Sequence, residues 1–331
     1  MKNFLLIICS MFLLMSFISV KEEYFPKPQY AIADQNSPIV SLGRELFHDP
    51  ILSKDSTISC ASCHSQYNAF AHSDHALSHG IADRIGTRNA PALVNLAWSE
   101  SFMWDGASFS LEAQVLTPLT VHHEMDNSLD TILRRLNNHP KYSHLVQKAF
   151  SETPILTKHL LKAIASYEST LISRNSRYDS MRMHLVEFNE QEQKGYTLFK
   201  QHCNRCHTEP LFTNGQFANT ALPMDTSLND MGRYRITQDS SHIRHFKIPT
   251  LRNLLYSFPY MHDGRFKRLR DVLKHYAEGI NMHDETRSIK NPIPLSSNDI
   301  TDLLSFLHAL TDRTFIFNPA FSQIHYPQRN Q

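Results

Sequence analysis

The chain carries almost no net charge: 33 Lys and Arg face 32 Asp and Glu, leaving +1 over 331 residues. That balance gives no electrostatic footprint for nucleic acid or for an acidic membrane surface, so nucleic acid is not expected as a partner. Glycine is scarce, with 9 residues, and the 16 prolines concentrate in connections such as Asn291–Pro294. Strand signals are few, and nothing alternates strand with helix, which removes the βαβ context of a thioredoxin-like protein. Cysteine is rarer still, with five in the whole chain.

What remains is a globular balance, 41% hydrophobic and 20% charged, with length enough for two domains. Twenty histidines are more than packing accounts for and give weight to metal or proton chemistry. The N-terminus, MKNFLLIICSMFLLMSFISVKEE, has a short positive start and an apolar run from Phe4 to Val20. It reads as a secretory signal over residues 1–22, or as a membrane anchor if it is not removed. Export to the periplasm is expected, and Cys9 belongs to that leader.

Four cysteines are left, in two pairs with one pattern: Cys60-Ala-Ser-Cys63-His64 and Cys203-Asn-Arg-Cys206-His207. In a C-x-x-C-H pentad the two thiols bond the vinyl groups of a porphyrin, and the adjacent imidazole becomes an axial ligand of its iron. One turn of chain presents all three groups to one planar ring. A four-thiolate zinc site would have to bring pairs about 140 residues apart together, and would leave both histidines without a role. Two such pentads in an exported chain point to two covalently bound c-type haems.

The chain also repeats itself. Leu42–Pro50 and Lys194–His202 share G-x-x-L-F ahead of each pentad, and Pro91–Gly106 aligns without gaps to Pro249–Gly264 with seven identities: Pro91/Pro249, Leu93/Leu251, Asn95/Asn253, Ser99/Ser257, Met103/Met261, Asp105/Asp263 and Gly106/Gly264. Trp104 in the first copy faces His262 in the second. Helical periodicity predicts a helix capped by Ser128 with Leu129, Ile132, Leu133 and Leu136 on one face, a second over Leu160–Ile172, and a last one capped at Ser297 or Asn298. The reading is a mainly α fold of two related haem domains, with a leader at 1–22, a first domain at 23–180 and a second at 181–331.

Two haems differ in function when one iron keeps an open position. For the second iron the sixth-ligand candidates are Met224, Met231, Met261, His262, His275, Tyr276 and Met282. For the first, His72, His75 and His79 follow the pentad closely and read equally well as solvated loop residues. Cleaving peroxide needs a proton carrier, and Glu124 in HHEM supplies a carboxyl. Trp104 reads either as an oxidisable relay or as a core residue.

The stretches LGRELFHDPILSKDSTISCASCH, GTRNAPALVNLAWSESFMWDG, LEAQVLTPLTVHHEM, CNRCH, IPTLRNLLYSFPYMHDGRF and HYAEG resemble the bacterial dihaem cytochrome c peroxidase superfamily, including its MauG-type branch, from about Leu42 to Leu310. The resemblance implies two cytochrome c-like domains, a peroxidatic first haem, an electron-delivering second haem and a calcium ion between them. It places the catalytic carboxyl at Glu124, the inter-haem tryptophan at Trp104, and calcium on the Asn89 side chain and the carbonyls of Ser257 and Pro259. It implies hydrogen peroxide as substrate and a small cytochrome c or cupredoxin as electron donor, and leaves a homodimer open. Two departures favour the MauG type. The second haem's distal position holds Tyr276 instead of methionine, and the first haem's switchable histidine position holds Ile81, two residues from His79.

Overall fold

The computed structural model describes residues 24–323. The leader expected at residues 1–22 lies outside them. Among the described residues no helix is long and apolar enough to cross a membrane. Numbering only helices of nine residues or more, the chain forms α1 (Pro38–His48), α2 (Leu111–Thr120), α3 (Leu129–Asn137), α4 (Pro140–Phe150), α5 (Thr157–Ser169), α6 (Glu190–His202), α7 (Leu269–Glu278) and α8 (Ser297–Ala309). The sheet is a two-stranded antiparallel ladder, Phe217 opposite Lys247 and Ala218 opposite Phe246.

The helix starts follow from their caps. Ser128 accepts from the Thr131 amide at the head of α3, with Ile132 and Leu136 fully buried and Leu129 and Leu133 packed beside them. Asn189 and Glu192 cap α6 reciprocally, as Ser296 and Asp299 cap α8, each pair satisfying two otherwise orphaned amides. The α8 cap is thus Ser296, one residue before the expected position. α5 also differs from its expected span: it starts at Thr157 and stops at Ser169. Leu171 leaves the helix because its carbonyl accepts the Asn95 amide at 2.9 Å while its side chain is fully buried.

Each half is organised by one helix crossing. A methyl group at Gly43 in α1 would stand 1.9 Å from the Ala163 carbonyl oxygen and 2.9 Å from Tyr167 Cβ in α5; at Gly195 in α6 it would stand 1.9 Å from the Asp302 carbonyl oxygen and 2.9 Å from Phe306 Cβ in α8. The G-x-x-L-F repeat is therefore a packing repeat: glycine is required because another helix's backbone occupies the space of a side chain. One apolar core forms around Leu42, Leu46, Val115, Leu119 and Leu160, a second around Phe47, Phe70 and Tyr167, and a third around Phe199, Phe212, Leu303 and Phe306. The ends of the chain cross over. Phe315, Ile316 and Phe321 complete the core around Phe47, and Tyr24 packs against the third core.

The duplicated loops share backbone geometry. Asn95 and Asn253 have φ of 57° and 63°, Met103 and Met261 of 68° and 74°, and Gly106 and Gly264 of 75° and 66°. Both asparagines are buried and act as seam pieces: Asn95 bonds both ways with the Ser173 backbone, while Asn253 donates to Ser173 Oγ and accepts from the Asp312 amide at 2.7 Å. Replacing Gly195 with Ala is expected to destabilise the protein by about 2–3 kcal/mol through overpacking at the crossing. The check is a fall in the thermal midpoint.

Candidate functional site

The two pentads fold alike. The His64 amide closes on the Cys60 carbonyl at 2.8 Å, and the His207 amide on the Cys203 carbonyl at 2.9 Å. All four cysteines are free thiols. Among the described residues no group of three or more His, Cys, Asp or Glu is arranged for a metal ion, so the pairs do not assemble the four-thiolate alternative. Burial pushes the Cys63 thiol up to about 11, with Glu124 adding to it, and the Cys203 thiol up to about 12, with Cys206 adding.

Each imidazole is held by its inner nitrogen. His64 Nδ1 lies 2.9 Å from the Phe70 carbonyl; His207 Nδ1 lies 3.2 Å from the Phe212 carbonyl and 3.1 Å from that of Pro249. Phe70 and Phe212 both reach these bonds from left-handed backbone, φ 57° and 55°. Nδ1 is thereby the protonated nitrogen, and Nε2 keeps its lone pair. Burial lowers both histidines to about 4, which keeps them neutral. Two thiols one turn apart beside an oriented neutral imidazole are the donor set that a covalent porphyrin needs, so the residues fit the group at both places.

The HHEM turn is fastened on all sides. The Met125 amide bonds the Pro118 carbonyl at 3.1 Å, the Lys54 amide bonds the Met125 carbonyl at 2.9 Å, and the Ile81 amide bonds the Glu124 carbonyl at 2.9 Å. Arg84 and Lys54 both grip Asp126. Burial alone raises the Glu124 carboxyl above its ordinary range, and its charge is felt by the thiols of Cys63 and Cys60. Glu124 thus faces the first pentad. Ile81 is buried against the same turn. His79 takes a different place: its Nδ1 lies 2.8 Å from Asp83 Oδ1, its ring stacks on His75 at 3.9 Å, and its carbonyl accepts Cys63 Sγ–H. His72 joins the row 5.4 Å from His75.

On the second side the phenol of Tyr276 is raised by burial and further by the thiols of Cys203 and Cys206, which places it against that pentad. Four of its rivals are otherwise engaged or turned out. His275 Nε2 is bonded to the Thr220 carbonyl, His262 lies flat on Phe246 at 3.6 Å, and Met224 and Met282 are exposed.

Sequence reasoning missed the counterpart of Tyr276. Helices α2 and α7 both run ten residues and start five residues after Gly106 and Gly264. The eighth residue of α7 is Tyr276, and the eighth of α2 is Pro118. Extending the gapless register beyond the two glycines would have found it. One position thus carries a phenol in the second copy and a side chain that cannot ligate in the first.

Trp104 and Asn89 link the copies. Trp104 Nε1–H donates to the Asn89 carbonyl at 2.8 Å, and the Asn89 amide donates to the His262 carbonyl at 2.7 Å. The Trp104 ring is therefore tied to the His262 backbone through one residue, Asn89. The Asn89 amide group donates to the Ala76 carbonyl at 2.9 Å. Among the described residues, Asn89 Oδ1 and the carbonyls of Ser257 and Pro259 accept no hydrogen bond. Oxygen atoms of that kind suit a hard cation.

The chain matches the family model described as di-haem cytochrome c peroxidase over residues 37–185. It is 34% identical over 302 residues to the methylamine utilization protein MauG of Methylorubrum extorquens, an alignment covering 86% of this chain and 83% of that one. The chain belongs to the di-haem cytochrome c peroxidase family. Within that family it is also similar to the cytochrome c551 peroxidase of Nitrosomonas europaea, 28% identical over 299 residues, 86% of this chain and 83% of that one. Among solved structures it resembles a MauG-like protein associated with microbial copper homeostasis, with TM-score 0.83 and 29% identity over 92% of this chain and 98% of that one. The mainly α fold of two cytochrome c-like domains is the fold of this family.

Matured in a host that attaches c-type haem, the Cys60→Ser/Cys63→Ser variant is expected to lose one covalent porphyrin by mass, and adding Cys203→Ser/Cys206→Ser to lose both.

Proposed function

We propose that the chain is an exported, periplasmic peroxidase that reduces hydrogen peroxide to two waters with two electrons from a small cytochrome c or cupredoxin. In this reading residues 23–180 form the peroxidatic domain and residues 181–331 the electron-delivering one. Cys60, Cys63 and His64 would carry one haem c; Cys203, Cys206 and His207 would carry the other, and Tyr276 would supply a phenol to its iron. The reading rests first on the Pro118/Tyr276 pair, one helical position that carries a buried phenol near the second pentad and, in the first copy, a proline that cannot ligate.

A haem seated on His64 supplies the iron that receives peroxide. The protein's own part is proton and position. Glu124, desolvated and facing the first pentad, holds a proton at its carboxyl and moves it from the inner to the outer peroxide oxygen. The Nδ1 bonds of His64 and His207 orient both imidazoles. Trp104 lies on the peptide link between the copies and serves as the oxidisable ring that couples them. Asn89, Ser257 and Pro259 would hold a calcium ion that stiffens this link.

Glu124→Gln is expected to cut peroxide turnover by about 10²–10⁴-fold with haem content and absorption unchanged. Tyr276→Phe is expected to change the absorption and EPR of one haem only. Steady-state turnover with a reduced donor checks the activity itself. Slow consumption together with oxidation of a partner protein's side chains would replace this reading by a MauG-like oxidase, and two saturated irons indifferent to peroxide would replace it by a plain electron carrier.

A further inference from the structure

The first site holds a second carboxyl that nothing above uses. Glu168, next to the last residue of α5, is 4% exposed. Its Oε2 is buried without a hydrogen-bond partner, and among the described residues no donor reaches either oxygen. An ionised carboxyl in such a place is strongly unfavourable unless it is paired or protonated. The cations nearby serve other groups: Lys162 pairs with Glu112 at 3.1 Å, and Arg44 Nη1 donates to the Ala320 carbonyl at 2.5 Å. The charges that face Glu168 are negative or neutral. Glu112 from α2 opposes its ionisation, and Glu168 itself acts on Cys60 in the first pentad. Burial, with Glu112 adding, pushes its carboxyl up to about 8.

The repeat sharpens the point. Tyr167 and Phe306 occupy the same place at the two glycine crossings, and Leu171 and Leu310 both accept the amide of the repeat asparagine. In that register Glu168 corresponds to Leu307, a buried apolar residue of the third core. The fold accepts leucine at this position, and only the copy that faces Glu124 carries an acid there.

We propose that Glu168 is the redox-linked proton site of the first haem. In the pH range where the oxidised site leaves the carboxyl ionised, gain of an electron there draws one proton from solvent onto Glu168, which becomes a neutral carboxylic acid, so no net charge is added to the buried region. Resting on the peroxidase reading, this uptake balances the charge of the electron held at the first site, while the two protons consumed as H2O2, two electrons and two protons become two waters reach peroxide by way of Glu124. Glu168 acts on the site through charge, as a positioning residue for the proton, and not by touching peroxide.

The test uses the haem-loaded, full-length protein with Glu168→Leu, the residue of the second copy, and Glu168→Gln, which keeps the shape if leucine disturbs haem attachment. The potential of each haem is measured by spectroelectrochemistry on either side of pH 8, with infrared difference spectra of the carboxyl C=O band on reduction. In the unaltered protein the potential of the His64 haem is expected to fall as pH rises through that range, because reduction is coupled to proton uptake there, and the carboxyl band is expected to grow on reduction. Both effects vanish in each variant, and the His207 haem does not change. A pH slope and a carboxyl band that survive in the variants overturn the assignment, as does their absence from the unaltered protein. If the slope behaves as expected in a protein that does not turn over peroxide, the Glu168 assignment stands and the peroxidase reading falls.

Discussion

Two backbone-to-backbone contacts hold this protein in shape. At Gly43 and again at Gly195, one helix lies so close to another that a carbonyl oxygen occupies the space of a Cβ. That approach sets the angle at which α1 and α6 deliver the chain to the two pentads. It buries Tyr167 and Phe306 fully, and it fixes where Phe70 and Phe212 present the carbonyls that orient His64 and His207. Any side chain at either glycine would move the helix, the loop behind it and the imidazole in turn, because packed interiors transmit displacement and do not absorb it.

On this doubled frame the side chains diverge. Pro118 stands where the second copy has Tyr276, Trp104 where it has His262, and Glu168 where it has Leu307. Each exchange places different chemistry at matched positions of the two copies. The energetics agree: the first pentad faces two carboxyls raised by burial, while the second faces a buried phenol and an apolar core. Burying acids without partners lowers stability. A fold tolerates that locally when the rest of the core is well packed, as it is around Leu42, Leu160 and Tyr142.

The seam between the copies is polar and dense. Arg88 bridges Asp105 of the first copy and Asp230 of the second at 2.7 and 2.6 Å. Arg252 and Asp179, both fully buried, pair at 2.8 Å, with the Tyr24 hydroxyl and the Pro210 carbonyl completing the cluster. The Lys247 amide holds the Trp104 carbonyl at 2.7 Å, and its ammonium, lowered to about 8 by burial, donates to the Ser101 carbonyl. Paired buried charges confer geometry more than net stability. Here that geometry holds the Trp104 backbone against Lys247 and ties Asn89 to His262 of the second copy.

Much of this was legible from residue order. Two C-x-x-C-H pentads, a gapless repeat and apolar periodicity with a serine cap are local signals: they need only neighbouring atoms to have meaning, and they determined the duplication, the helical class and the attachment points. The bounds of α5 were not legible, because Leu171 leaves the helix to satisfy an amide 76 residues away. That Tyr276, and not the adjacent His275 or Met282 six residues on, lies against Cys203 and Cys206 was not legible from composition either, since it depends on which side chain the fold turns toward them. Glu124 could be proposed from sequence, but its raised carboxyl could not, and no motif or periodicity singled out Glu168. Burial and charge proximity are sums over the surrounding volume, and residues far apart in the chain share that volume only once it has folded.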